Sequence, residues 1–447
     1  MGVNRVALLG VSLWAITLFL AMPLARGELL HSFQSNYPNG DFGLSISNAG
    51  DVDGDGKDDV IVAEPRWSAA GVVFDQGGIH VFSSGTGLLI RRHYASAYAT
   101  GYGSNVAGLG DLNADGYGDY AVSAPGDTTD GDRGRVYVYS GLNGALLYIL
   151  RSFESLQSGF GHSMAAISDR NGDGINEIIL GAPRYRESFD NIETNTGKVY
   201  LYSGADGQLL AERIGPPYTG PNPDWTAGAS YFGYSVVGTD DHNGDGISDI
   251  IIGSPAANNG SDINVGKVEI VNGVTLVTIA AFFGVLSADN FVDGNINYGD
   301  TAGSTVQSAD VNGDGREDII AAASSGVYVF NSFTGQLHYQ AGVGVGVERP
   351  LASRGTDLNG DGFPDFAIGN FSGNRATVIS GPNGEVGEQF LGADGTAFGF
   401  DVDVLGDLNG DGQDDLVISA LGDTDYGRVE IHTTSNTTLG STHLLER

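Results

Sequence analysis

Seven nine-residue segments of this chain carry an oxygen-rich ligand pattern, with Asp at the first and fifth positions, Asp or Asn at the third and Asp or Glu at the ninth. In chain order the candidate ligands are Asp51, Asp53, Asp55 and Asp59; Asp111, Asn113, Asp115 and Asp119; Asp169, Asn171, Asp173 and Glu177; Asp241, Asn243, Asp245 and Asp249; Asp310, Asn312, Asp314 and Asp318; Asp357, Asn359, Asp361 and Asp365; and Asp407, Asn409, Asp411 and Asp415. Positions one, three and five offer oxygens on one side of an ion, and position nine closes the shell from the other. Such a set suits calcium, a hard cation taking roughly six to eight oxygens at tolerant geometry. It does not suit the transition metals, which select nitrogen and sulfur. Position six is Gly in every copy, where the chain turns sharply and needs φ > 0. Position seven ranges from Lys57 to Phe363, as expected if it lends only its carbonyl. Asp-Gly-rich turns also occur without metal, but seven copies in one register favour ion sites, and up to seven Ca²⁺ are expected.

These loops are not EF-hands, which need a bidentate Glu at position twelve and flanking helices. Position twelve here is Val62, Val122, Leu180, Ile252, Ala321, Ile368 or Ile418, inside a short apolar run such as Val60-Ile61-Val62 that reads as a buried strand. A dockerin-like helical module is excluded on the same ground. No other chemistry stands out. The chain has no cysteine, no Gly-x-Ser-x-Gly elbow, no His-Glu-x-x-His and no phosphate loop. Its eight histidines are scattered; His162 reads as packing, and His242 is expected to face outward from its loop.

The loops recur every 47 to 72 residues, a spacing that suggests propeller blades. Nine residues before a loop stands an aromatic with Gly: Phe42-Gly43, Tyr102-Gly103, Phe160-Gly161, Phe232-Gly233 and Phe398-Gly399. After the loop's strand come small residues and Pro, as in Ala63-Glu64-Pro65, Ala124-Pro125 and Gly181-Ala182-Pro183. An alternating strand, a Ser-Gly-x-x-Gly turn and a fourth strand complete the unit. Four strands in each of seven units predict an all-β, seven-bladed β-propeller with calcium-binding loops. The pattern resembles the FG-GAP repeats of the integrin α-subunit head over residues 29–435. The fifth and sixth units depart from it, with Thr301-Ala302 and Glu348-Arg349 in place of Phe-Gly, and are expected to be less regular blades. Leu29-Leu30-His31-Ser32-Phe33 matches a fourth strand and is expected to complete the last blade, closing the ring that would otherwise leave edges exposed.

The resemblance implies calcium loops on one face and the loops after Gly-Ala-Pro on the other. Those opposite loops are long in the first four units and carry Trp67, Tyr185, Arg186, Tyr218, Trp225 and Phe291. Aromatics beside Arg suit stacking on sugars or gripping protein side chains, so Trp67, Tyr185, Arg186 and Trp225 are candidate ligand-binding residues; the alternative is that they pin long loops to the disc. Residues 1–27 read as a secretory signal, with Arg5, an apolar stretch and Ala25-Arg26-Gly27, or as a retained N-terminal anchor. Residues 28–447 then form a single propeller domain. The net charge of −34 disfavours nucleic acid and anionic lipid. The expected function is a secreted or cell-surface (periplasmic or extracellular) adhesion or recognition module that is not an enzyme, with an extracellular protein or glycan as partner. A glycan-binding lectin is the alternative. A calcium-dependent polysaccharide lyase would need a basic cluster, for which Arg66, Arg184 and Arg186 are the candidates.

Overall fold

The computed structural model describes residues 27–435, apart from 69–74, 96–100, 130–133, 153–157, 187–194, 217–229, 258–265, 284–305, 324–325, 342–350, 353–354 and 423–425. The strands in order are β1 (Leu29–Gln34), β2 (Ile46–Gly50), β3 (Asp59–Glu64), β4 (Gly78–Phe82), β5 (Leu89–Tyr94), β6 (Val106–Gly110), β7 (Asp119–Ala124), β8 (Arg135–Tyr139), β9 (Leu146–Arg151), β10 (Ser163–Ile167), β11 (Glu177–Ala182), β12 (Lys198–Ser203), β13 (Leu209–Ile214) and β14 (Ser235–Gly238). They continue with β15 (Ile250–Ser254), β16 (Lys267–Val271), β17 (Thr278–Phe283), β18 (Val306–Ala309), β19 (Asp318–Ala323), β20 (Gly326–Phe330), β21 (Leu337–Ala341), β22 (Leu351–Ala352), β23 (Phe366–Asn370), β24 (Arg375–Ile379), β25 (Val386–Leu391), β26 (Phe398–Val404), β27 (Leu416–Ala420) and β28 (Arg428–His432).

They form seven four-stranded antiparallel sheets. Six are consecutive meanders, and the seventh has the order β1-β28-β27-β26. The chain is thus an all-β seven-bladed propeller whose ring is closed by its first strand, as the N-terminal apolar run predicts. Pairing runs from Gln34 opposite Arg428 to Leu29 opposite His432. The fifth and sixth blades are present; in the sixth, β22 is only two residues long, which bears out a less regular unit.

Each blade buries both faces, so its second strand reads as an unbroken apolar run. Alternation by one residue sends neighbours to opposite seams. Val60 and Val62 pack toward the seventh blade with Val417, Val429 and Ile431, whereas Ile61 and Ala63 pack toward the second with Val106, Tyr120 and Val122. Every seam is a separate core of this kind. Phe42, Tyr102, Phe160, Phe232 and Phe398 each plug one and are at most 2% exposed. The Gly that follows is required by close approach: at Gly399, φ is +82° and a β-carbon would stand 2.2 Å from the Arg375 carbonyl oxygen.

The inner strands are stitched by the second residue after that Gly. Ser45 Oγ accepts from the Val106 amide at 3.2 Å, and Asp401 accepts from the Ile46 amide at 2.8 Å across the closing seam. Within each antiparallel meander, the turns joining strands one to two and three to four lie at one end. The first of these is the acidic loop.

Candidate metal loops and an aromatic cleft

The acidic loops are built from their own amides. In the first loop, Asp51 accepts from Gly54 at 2.6 Å and from Gly56 at 2.9 Å, Asp53 from Asp55 at 3.1 Å, and Asp55 from Lys57 at 2.9 Å. The seventh loop repeats this with Asp407 accepting from Gly410 and Gly412. Position six has φ between +85° and +90° in every copy, the sharp turn expected there. Position four is also left-handed; it is Gly in six loops, and Ala114 holds φ +59° in the remaining one. That second requirement was legible in the sequence and is not part of the ligand reading.

Position nine lies deeper than its neighbours. Asp59, Asp119, Glu177, Asp249, Asp318, Asp365 and Asp415 are at most 1% exposed. One oxygen of Asp59 accepts from the Val52 amide of its own loop at 2.9 Å, and the other from Ser84, in the turn between strands three and four, at 3.0 Å. Asp119, Asp249, Asp365 and Asp415 do the same with Gly141, Gly273, Gly381 and Thr434. Glu177, one methylene longer, bends back onto the Arg170 and Asn171 amides. The ninth residue therefore staples the loop to the neighbouring turn, a role that sequence spacing could not reveal because the partner lies 16 to 25 residues away.

In the first loop the carboxylate oxygens of Asp51, Asp53 and Asp59 lie within 4.8 Å of one another. Asp55 lies near enough for its charge to act on Asp59, and one of its oxygens is 2.2 Å from where a β-carbon on Gly85 would stand. Its counterparts Asp115 and Asp361 likewise accept from Ser140 and Ser380, both at 3.1 Å. Burial pushes Asp59 and Asp365 up to about 7, and Asp119, Asp318 and Asp415 up to about 6, with the loop's other carboxylates adding to the effect. By contrast, backbone amides hold Asp169 and Asp241 below the ordinary carboxylate range. A crowded set of acids, one of them desolvated, is an environment that a divalent cation would neutralise. The donor set fits calcium.

Position two is the inward residue, and Val52, Leu112, Val311, Leu358 and Leu408 fill it with apolar side chains. Two loops differ. Arg170 is 8% exposed, and among the described residues its guanidinium has no hydrogen-bond partner. His242 does not face outward as expected; its Nδ1 lies 2.7 Å from the Asp240 carbonyl oxygen and its Nε2 is buried. It occupies the slot that its apolar counterparts fill.

Among the described residues, the candidate ligand-binding residues Trp67, Tyr185 and Arg186 do not share one site: Trp67 belongs to the first blade and the other two to the third. Tyr185 is 8% exposed, covered by Lys198 with its Nζ 4.8 Å from the ring centroid, so it pins its loop and offers no open ring. Arg186 donates to Asn195 Oδ1 at 2.8 Å, and Arg66 pairs with Asp41 at 2.9 Å. His162 packs against Tyr234, as predicted. Tyr218, Trp225 and Phe291 lie outside the described residues. Trp67 stacks on Tyr94 with centroids 3.8 Å apart, beside a cleft of about 190 Å³. Sequence reasoning passed over that cleft, although Glu64 in place of the usual small residue was visible in it.

Comparison with known proteins agrees with this architecture. The FG-GAP repeat family matches residues 42–82, 160–202 and 302–338. Integrin alpha-E of Mus musculus is 32% identical over 206 residues, covering 43% of this chain and 16% of that protein. Integrin alpha-5 of Xenopus laevis is 29% identical over 231 residues, or 49% of this chain and 20% of that protein. Integrin alpha pat-2 of Caenorhabditis briggsae is 28% identical over 275 residues, or 54% and 21%. The chain thus spans about a fifth or less of these relatives' length. Among the described residues no helix is long and apolar enough to cross a membrane. With its FG-GAP repeats, its integrin α relatives at about 30% identity and its seven four-stranded blades, the chain is an integrin α-like FG-GAP repeat β-propeller.

Proposed function

We propose that the protein is a secreted recognition module in the manner of an integrin α head, stabilised by calcium in its seven acidic loops. Residues 1–27 are removed on export, and residues 28–447 act as one domain. The observation that carries the calcium reading is the convergence of Asp51, Asp53 and Asp59 oxygens within 4.8 Å, on a loop whose ninth carboxylate is fully buried. With no cysteine available for disulfides, ions bound only by the folded chain take over that role. At free calcium a hundredfold above its dissociation constant, each site contributes about 2.7 kcal/mol.

The partner is an extracellular protein or a glycan, and nucleic acid is disfavoured by the charge of −34. That its relatives are integrin alpha chains supports adhesion over catalysis. The lectin alternative draws support from the Trp67–Tyr94 pair beside its cleft. The lyase alternative is weakened because Arg66 is committed to Asp41 and Arg186 to Asn195.

Two measurements test the reading. Chelation should lower the melting temperature by many degrees, and an unchanged melt in excess chelator would refute the calcium role. Binding to arrays of glycans and matrix proteins, with calcium and with chelator, should identify one ligand class; silence on both arrays would count against a recognition module.

A further inference from the structure

The first blade departs from the others at three linked positions. Where the other blades carry Ala124, Ala182, Ser254, Ala323, Asn370 or Ala420 at the end of the second strand, it has Glu64, 1% exposed. Opposite Val62 on the third strand stands His80, where Tyr137, Tyr200, Glu269 and Tyr328 occupy the matching register. Paired with His80 on the fourth strand is Arg92, matched elsewhere by Ile149, Glu212, Ala281 and Gln340.

These three residues form a relay. Arg92 Nε donates to His80 Nδ1 at 3.1 Å. That fixes the tautomer, so Nε2 carries the proton and donates to Glu64 Oε2 at 2.8 Å. Ser35 Oγ, from the end of the ring-closing strand, donates to the other Glu64 oxygen. A buried carboxylate and imidazole stand here where most other blades have Ala and Tyr, at a desolvation cost that packing alone does not require. The relay orients the exposed Arg92 guanidinium at the cleft it helps to line, and among the described residues its two terminal nitrogens make no hydrogen bond. Trp67 and Tyr94, stacked with planes 22° apart, form an aromatic wall of the same cleft, and Tyr37 stands 6.5 Å from Trp67.

We propose that this cleft, between the ring-closing strand and the first blade, binds a carboxylate-bearing sugar. The Arg92 nitrogens grip the carboxylate in bidentate fashion, and the aromatic wall takes the apolar face of the ring. The cleft, at about 190 Å³, falls below the roughly 300 Å³ at which pockets for drug-sized ligands begin, so it takes one ring. A long polyanion is disfavoured by the overall charge of −34, whereas a single acidic sugar at a chain end meets one local cation. This deepens the recognition reading by naming a ligand class, and it does not depend on calcium.

The test is titration of the full-length protein with glucuronate and galacturonate, against glucose, galactose and a short Asp/Glu peptide, followed by tryptophan fluorescence and saturation-transfer NMR. Saturable binding of the uronates, at least tenfold tighter than the neutral sugars and the peptide, is expected. Arg92→Gln should abolish that preference; losing the bond to His80 lowers the melting temperature modestly, and an unchanged far-ultraviolet circular dichroism spectrum shows that the variant is folded. Trp67→Ala should weaken every sugar. Equal response to acidic and neutral sugars, tighter binding of the peptide, no saturable binding, or an unaltered preference in Arg92→Gln would each overturn the proposal. Melting of the same samples with and without calcium reports on the acidic loops separately.

Discussion

Phe33 offers a direct test of how the ring is closed. It is the inward residue of β1, 5% exposed and stacked on Phe82 with ring centroids 4.2 Å apart and planes at 20°. It joins a core drawn from both ends of the chain, with Phe42, Val60, Val62, Leu405, Val429 and Ile431. Phe33→Ala removes a buried ring and leaves a cavity that strands from two blades cannot easily fill, which costs about 3–5 kcal/mol. For a folded unit of roughly 400 residues unfolding with about 2.1 cal/mol/K per residue, that is a fall in melting temperature of about 4–6 °C. The assay is thermal and urea unfolding in millimolar calcium, followed by circular dichroism. Two controls frame it. Phe390→Ala, at the matching place on the fourth strand of the sixth blade, opposite Ala376, should cost a similar amount. Leu29→Ala, at a position 52% exposed, should cost little. If Phe33→Ala behaves like Leu29→Ala and loses less than about 1 kcal/mol, the closing strand is not an integral part of the seventh blade and the reasoning fails.

Three further predictions concern single residues. Ala114 holds a left-handed φ of +59° where the other six loops have Gly, so Ala114→Gly should raise stability by up to about 1 kcal/mol, and a measured loss would contradict the strain. Arg170 places a guanidinium that makes no hydrogen bond among the described residues beneath the fourth loop, where a β-carbon on Gly273 would stand 3.1 Å from its central carbon. Its charge opposes a cation near Glu177 of its own loop and near Asp249 and Asp245 of the fourth, so Arg170→Leu should tighten calcium at these two loops about tenfold or more, and an unchanged calorimetric isotherm would refute this.

His93 stacks on Tyr139 at 4.3 Å and lies 2.8 Å from the Tyr120 hydroxyl; burial, with Arg91 nearby, lowers it to about 4. The unfolded chain then binds the extra proton between about 6.5 and 4, so this stabilisation is present at neutral pH and is lost as pH falls through that window. Discounted for its partial exposure, the effect is about 1 kcal/mol by pH 5. His93→Asn should therefore narrow the difference in melting temperature between pH 7.5 and 5, and an identical difference would rule it out.

Blade number, strand order and ring closure were legible because each follows from a short local pattern: an apolar run of five or six residues, an acidic loop of nine, an aromatic with Gly nine residues earlier. The backbone demand at position six was legible for the same reason. Whether Tyr185 binds a ligand or pins its loop was not legible in the sequence, because Lys198, which covers it, comes from a different strand. His242 was misread as outward because its slot is defined by the seam and not by the loop.

By itself the sequence determined the repeat, the all-β propeller and the set of oxygen-bearing loops, since hydrophobic alternation and turn chemistry act over a few residues. Only the tertiary structure decided which ninth-position oxygens are spent on neighbouring turns, that Arg170 lies under the fourth loop, and that Glu64, His80 and Arg92 form one relay beside Trp67. Those outcomes depend on how strands pair and on which blade lies beside which, and adjacency across a closed ring joins residues as far apart as Ile46 and Asp401.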